Sequence, residues 1–300
     1  MKKPVIIDTP MNTGAFFSLA YASRQFDIRG ITVSSYEDTA QVCCAAEILG
    51  LKTPVYSGAD RPIIRKTISP LVGSEGYHDL SNVFSPLDCE TISGKEYAWD
   101  IISIEAKKQE GALEIITLGS LTNLAVALLK FPDLVGQIAR ITVMGGSRFC
   151  GNCPHSPQSE FNFYYDPEAA HIVLNSGIPI IIADLNTCES VTWNSKHLEW
   201  FCGAVHGTGH LLRDFSAINT GHFSLNELVA LALTDDFFEA QTMHLAVNVE
   251  TDSDLARGKL VIEYDTAAMK LEPNATLFSF VDADALRERI LSVFGVTIGV

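Results

Sequence analysis

The sequence predicts an α/β protein with a mostly parallel central sheet, helices on both faces and extra strands near its C-terminal end. Three observations predict it. Short β-branched runs alternate with helical patterns from the N-terminus onward. The runs are continuously apolar, which suits strands buried on both faces of a parallel sheet. Strand, helix and strand at this spacing build right-handed βαβ units. No Pro/Gly/Ser-rich linker interrupts the pattern, so residues 1–300 are expected to form one domain.

Pro4 to Ile7 is the first strand, running into Asp8-Thr9, and Thr13 to Ser23 is the first helix. Gly30 to Val33 is the second strand, and Asp38 to Leu49 the second helix. Pro54 to Tyr56 follows as a short strand closed by Ser57-Gly58. Tyr97 to Lys108 reads as helix, Leu113 to Leu118 as a strand ending at Gly119, and Leu121 to Leu129 as helix. Ile141 to Met144 ends at Gly145-Gly146. Asp166-Pro167 starts a helix to Asn175, with Asp as cap and Pro at the first helical position. Ile178 to Ala183 is the next strand. His244 to Glu250, Lys259 to Tyr264 and Ala275 to Val281 are further strands, and a last helix runs from about Asp282 to Phe294. In such folds ligands bind beyond the carboxyl ends of the strands. Asp8-Thr9, Leu118-Gly119 and Met144-Gly145-Gly146 should therefore border one crevice.

A net charge of -15 argues against nucleic acid as a partner, since phosphate binding needs clustered Lys and Arg. No segment approaches the ~20 apolar residues of a membrane span, and the start of the chain lacks a signal-peptide pattern. Seven irregularly spaced cysteines make no disulfide framework. A cytoplasmic protein with reduced thiols is expected.

Several segments together resemble the inosine–uridine nucleoside hydrolase family. They are residues 4–9 (Pro-Val-Ile-Ile-Asp-Thr), residues 55–62 (Val-Tyr-Ser-Gly-Ala-Asp-Arg-Pro), residues 118–123 (Leu-Gly-Ser-Leu-Thr-Asn) and residues 143–146 (Val-Met-Gly-Gly). Glu160-Phe161-Asn162, with Asp166-Pro167-Glu168-Ala169-Ala170 after it, matches the family's ribose-binding loop and helix. The resemblance implies a nucleoside-hydrolase-like fold, a homo-oligomer and cleavage of ribonucleoside N-glycosidic bonds. It also implies a Ca²⁺ ion that grips the ribose hydroxyls and a water, with an aspartate as base. A bound cation lowers the pKa of water, and calcium takes six to eight oxygen ligands.

The chain departs from the family where that metal would be held. The family's Asp-Thr-Asp-Pro-Gly-x-Asp-Asp reads Asp8-Thr9-Pro10-Met11-Asn12-Thr13-Gly14-Ala15. The ligand and base aspartate falls on Pro10, and the aspartate pair on Gly14 and Ala15. The late His-Asp-Pro motif reads Leu225-Asn226-Glu227, and the loop after the second strand is a shorter stretch holding Glu37. Only the Leu118 carbonyl remains of the implied ligands. No metal is therefore expected, and no appreciable Ca²⁺-dependent hydrolysis. The implied sugar contacts survive as Glu160, Asn162 and Met144, and with Asp8, Leu118, Asn123 and Asn226 they form the candidate ligand set. The alternative for Glu160-Phe161-Asn162 is that it only caps and turns into the following helix.

Other constellations carry weaker expectations. Cys202, His206 and His210 fall on one stripe of a helix, and Cys150 and Cys153 precede His155 in the loop after Gly146. Thiolate and imidazole suit Zn²⁺. Set against a zinc site are a partly buried helix face and a loose thiol pair. A redox role for Cys150 and Cys153 would need a cation or helix N-terminus beside them. His222 either reaches the crevice in place of the lost family histidine or is solvated. Asp184 and Asn186 read as local hydrogen-bonding swaps, and Phe16 and Phe17 as apolar plugs of the former metal pocket. Three functions follow: a nucleoside or ribose binder with a disabled metal site (a pseudoenzyme), an N-glycosidase with a rewired site using Asp8, Glu37, Glu160 or Glu227, or an interaction scaffold.

Overall fold

The computed structural model describes residues 2–34, 39–64, 94–154, 156–205, 221–235 and 240–296. The expectations placed on Glu37, Asp38, His155, His206 and His210 lie outside these residues.

The elements follow the expected alternation. β1 (Pro4–Thr9), α1 (Thr13–Gln25), β2 (Asp27–Val33), α2 (Thr39–Ile48), β3 (Val55–Tyr56), α3 (Ala98–Lys108), β4 (Leu113–Thr117), α4 (Thr122–Lys130) and β5 (Ile138–Met144) make the first half. α5 (Phe161–Tyr165), α6 (Pro167–Leu174), β6 (Ile180–Ala183), α7 (Leu185–Glu189), β7 (Thr192–Trp193), α8 (Ser195–Ala204), β8 (Phe223–Ser224) and α9 (Asn226–Leu233) follow. β9 (Gln241–Val249), β10 (Leu260–Glu263), α10 (Thr266–Met269), β11 (Ala275–Phe280) and α11 (Ala283–Val293) complete the described chain.

One nine-stranded sheet runs β10-β9-β11-β6-β5-β4-β1-β2-β3. The strands from β6 to β3 pair in parallel, β11 joins β6 in parallel, and β9 lies antiparallel between β11 and β10. The C-terminal strands thus extend the same sheet. Alternation along each strand feeds two cores: Val5 and Ile7 face the layer of α1, α8 and α9, while Ile6 faces that of α3, α4 and α6.

Local chemistry sets the boundaries. Asn12 caps α1 by accepting from the Ala15 N–H at 2.8 Å. Asp166 caps α6 by accepting from the Ala169 N–H at 3.1 Å, with Pro167 at the first helical position. β6 begins two residues later than expected, because Pro179 has no N–H to give the ladder.

Three expectations are corrected. Phe16 and Phe17 are fully buried in the core, and Phe17 packs on Phe201 with ring centroids 4.9 Å apart. Their volume fills the space between α1 and α8 instead of plugging a pocket. The helix carrying Cys202 ends at Ala204, where Val205 turns extended. Cys44 is disulfide-bonded, which departs from a fully reduced set of thiols. Among the described residues no helix is long and apolar enough to cross a membrane.

Candidate functional site

The carboxyl ends of β6, β5, β4, β1 and β2 lie side by side, and parallel pairing brings the chemistry-bearing loops together. Asp8 stands at the end of β1, and its backbone C=O accepts from the Leu118 N–H at 2.7 Å, stitching the β1 and β4 exits together. Its side chain is fully buried. Asp8 Oδ1 accepts from the Thr32 hydroxyl at 2.6 Å and from the Asn123 amide at 2.7 Å. Asp8 Oδ2 is buried without a hydrogen-bond partner. Burial pushes the Asp8 carboxyl up to about 6, against the pull of Thr32, Asn123 and Ser34.

Asn123 acts as a clamp. Its amide nitrogen donates to Asp8 and, at 2.8 Å, to the Val33 carbonyl, while its oxygen accepts from the Ala59 N–H at 2.8 Å. Three loops meet on this one side chain, and all its hydrogen-bonding groups are engaged in holding them.

The loop after β5 closes against α5. Gly146 takes φ +72, which a side chain rarely adopts. Glu160 caps α5 and is 1% exposed. Its Oε1 accepts from the Asn162 N–H at 2.9 Å, and its Oε2 from the N–H groups of Gly146 at 3.0 Å and Phe163 at 3.2 Å. Burial pushes the Glu160 carboxyl up to about 7, the three N–H groups pull it back, and the Glu227 charge adds to the rise. The side-chain N–H₂ of Asn162 reaches the carbonyls of Met144 at 3.0 Å and Leu118 at 3.4 Å and the Met144 sulfur at 3.3 Å. Leu118, Met144, Glu160 and Asn162 are thus brought together. Glu160 does cap its helix, so the capping role holds whatever else the side chain does.

At the positions where the resemblance implies metal ligands, Pro10, Gly14 and Ala15 carry no side-chain oxygen. Leu225 is buried in the core, and the Asn226 side-chain oxygen is buried without a hydrogen-bond partner. Glu227 points from the first turn of α9 toward α1. Its Oε1 accepts from the Asn12 amide at 2.7 Å, and its Oε2 lies where a Cβ on residue 14 would have to stand. Burial raises the Glu227 carboxyl above its ordinary range, and the Asn12 bond lowers it. Glu227 was weighed only as an acid or base. Asn12 was not singled out, although it sits three residues before Ala15, the spacing of an N-cap.

The remaining candidates stand apart. Asp184 pairs with Arg148 through bonds of 2.8 and 3.1 Å, and Asn186 accepts from the Ser147 hydroxyl and from the Arg148 and Phe149 N–H groups. These are the expected hydrogen-bonding swaps, and they fix the loop after β5. His222 is exposed. Cys150 is exposed, Cys153 lies in a small cluster with Phe161, Tyr164 and Tyr165, and Cys202 lies in the main core. The described members of the zinc set are therefore not assembled. Among the described residues no three His, Cys, Asp or Glu side chains converge so as to hold a metal ion.

The buried carboxyls give stability a direction with pH. Glu160 rises from 4.5 to about 7, so the folded protein holds a proton there that the unfolded chain releases. Stability from this group is present below about pH 4.5 and is lost as pH climbs toward 7. The change is about 3 kcal/mol for a shift of this size. Urea unfolding of the wild type and Glu160→Gln from pH 5 to 8 should show the variant's curve falling less steeply with pH. Parallel curves would refute the assignment.

A sequence model of the family described as inosine-uridine preferring nucleoside hydrolase matches residues 5–288. The pyrimidine-specific ribonucleoside hydrolase RihA of Escherichia coli (strain SMS-3-5) is 27% identical over 323 residues, spanning 97% of this chain and 99% of its own. RihA of Salmonella paratyphi A is 28% identical over 317 residues, with the same coverage. Among solved structures, the purine-preferring ribonucleoside hydrolase from Gardnerella vaginalis aligns with a TM-score of 0.82 at 20% identity, covering 97% of this chain and 98% of that one. A plant nucleoside hydrolase, PpNRh1, aligns at 0.81 and 22% identity, covering 98% and 99%.

Proposed function

This chain belongs to the inosine-uridine preferring nucleoside hydrolase family, and from that premise we propose that it binds nucleosides or ribose-like molecules without calcium-dependent hydrolysis. One observation carries the proposal. The loop implied to bind ribose keeps Asn162 on the Leu118 and Met144 carbonyls and Glu160 on the Gly146 N–H, while positions 10, 14, 15 and 226 carry no carboxylate. The residues present do not fit a calcium ion, which takes six to eight oxygens: Glu227 lays one carboxylate over Gly14, but among the described residues no three His, Cys, Asp or Glu side chains converge to hold a metal. Asp8 is tied to Thr32 and Asn123. The Leu118 carbonyl, the one implied ligand that any residue supplies, already faces the Asn162 N–H₂. A side-chain donor directed at that oxygen competes with a cation for it.

The test is release of free base from inosine and uridine, with calcium and with a chelator. The expected result is no turnover above background in either condition, with saturable stabilisation of the protein by at least one nucleoside. Calcium-dependent turnover would overturn the reading.

A second reading, an N-glycosidase with a rewired site, is favoured by Glu160. A carboxyl held at about 7 is partly protonated at neutral pH, as a general acid must be. Chelator-insensitive turnover that disappears in Glu160→Gln would select it. If no nucleoside or sugar binds, the scaffold role is left.

A further inference from the structure

The family's aspartates project from the start of α1, and here that helix supplies none. The opposite wall supplies one. Glu227 enters from the first turn of α9 and lays Oε2 over Gly14, in the space a side chain at 14 would use. Asn12, the cap of α1, grips its other oxygen at 2.7 Å. Of the three carboxylates in this region, Asp8 and Glu160 are 0% and 1% exposed, and only Glu227 keeps partial exposure. Two further acceptors lie buried without partners: Asp8 Oδ2 and the neighbouring Asn226 Oδ1.

We propose that Glu227, seated over Gly14 and held by Asn12, is the carboxylate through which this site binds the hydroxyl groups of its ligand. The inference rests on the ligand-binding reading above and adds the residue that carries it. A carboxylate accepts from both hydroxyls of a vicinal diol, so it can grip directly what a cation would otherwise coordinate. Gly14 is part of the device, since any side chain there displaces the carboxylate. Glu160 feels the Glu227 charge, which places the two in one electrostatic environment.

The experiment is calorimetric titration of the full chain with inosine, uridine and ribose, for wild type, Glu227→Gln, Gly14→Ala and the double variant. Glu227→Gln keeps the shape of the side chain. Gly14→Ala raises helix propensity while pushing the carboxylate off its seat, so neither variant should fail to fold, and circular dichroism melts check this. Each single variant should bind about tenfold to a hundredfold more weakly, the scale of a hydrogen bond to a charged group. The double variant should lose no more than either single one, because both act on one contact. Wild-type binding that persists undiminished in both single variants overturns the role of Glu227 and leaves the binder reading standing. A wild type that takes up none of the three ligands overturns the binder reading, and this inference with it.

Discussion

Glu160→Ala is expected to destabilise the protein by about 2–4 kcal/mol and, on the proposed binder reading, to abolish nucleoside binding. The side chain accepts from three backbone N–H groups, those of Gly146, Asn162 and Phe163, and so joins the β5 exit to α5. Leaving a buried donor without a partner costs ~1–3 kcal/mol. Part of the sum is offset, since removing Glu160 also relieves the burial of a charge that holds its pKa near 7. Glu160→Gln keeps an acceptor oxygen and should lose less than half as much. Urea denaturation at pH 8 measures both. An alanine variant as stable as the wild type would mean that water replaces the carboxylate, and that the loop does not depend on it.

Gly258→Ala is expected to cost about 3 kcal/mol or more and to loosen the segment carrying Glu160 and Asn162 from a distance. Gly258 takes φ +80, and a Cβ there would stand 2.6 Å from the Tyr164 nitrogen. The neighbour is the backbone of α5, which cannot swing aside as a side chain can. Overpacking of this kind costs ~1–3 kcal/mol, and the left-handed backbone adds to it. The turn carrying Gly258 is pinned to the same region, with Arg257 buried on Glu168 and the Arg257 carbonyl accepting from the Ser159 hydroxyl at 2.7 Å. Pushing it away should shift Glu160 and Asn162. Gly221→Ala is the control: φ is +81 there, but among the described residues nothing lies within 4 Å of the added atom. Its cost should be about 1 kcal/mol, from backbone strain alone. Equal losses in both variants would show that close packing on α5 contributes nothing.

Much of the fold was legible because its signals are local. Continuous apolar runs such as Ile180–Ala183 report burial on both faces of a sheet. Asp166-Pro167 announces α6 by capping chemistry alone. The short α5 was missed because five residues carry no helical period. The β7–β8 ribbon was missed because two-residue strands carry no alternation. Candidate site residues were legible in type but not in task. Asn123 stands in the candidate ligand set, and the structure adds that its amide ties Asp8, Val33 and Ala59 together. Nothing in a hexapeptide motif reveals which partners will surround it.

The sequence by itself determined the alternating architecture and the absence of a carboxylate side chain at positions 10, 14, 15 and 226, because side-chain charge is a property of each residue alone. Only the tertiary structure decided that Glu227 lies over Gly14 with Asn12 on its other oxygen, a contact spanning 215 positions of chain. Hydrogen bonds and excluded volume depend on separation in space, and chain folding sets that separation for residues no local pattern connects.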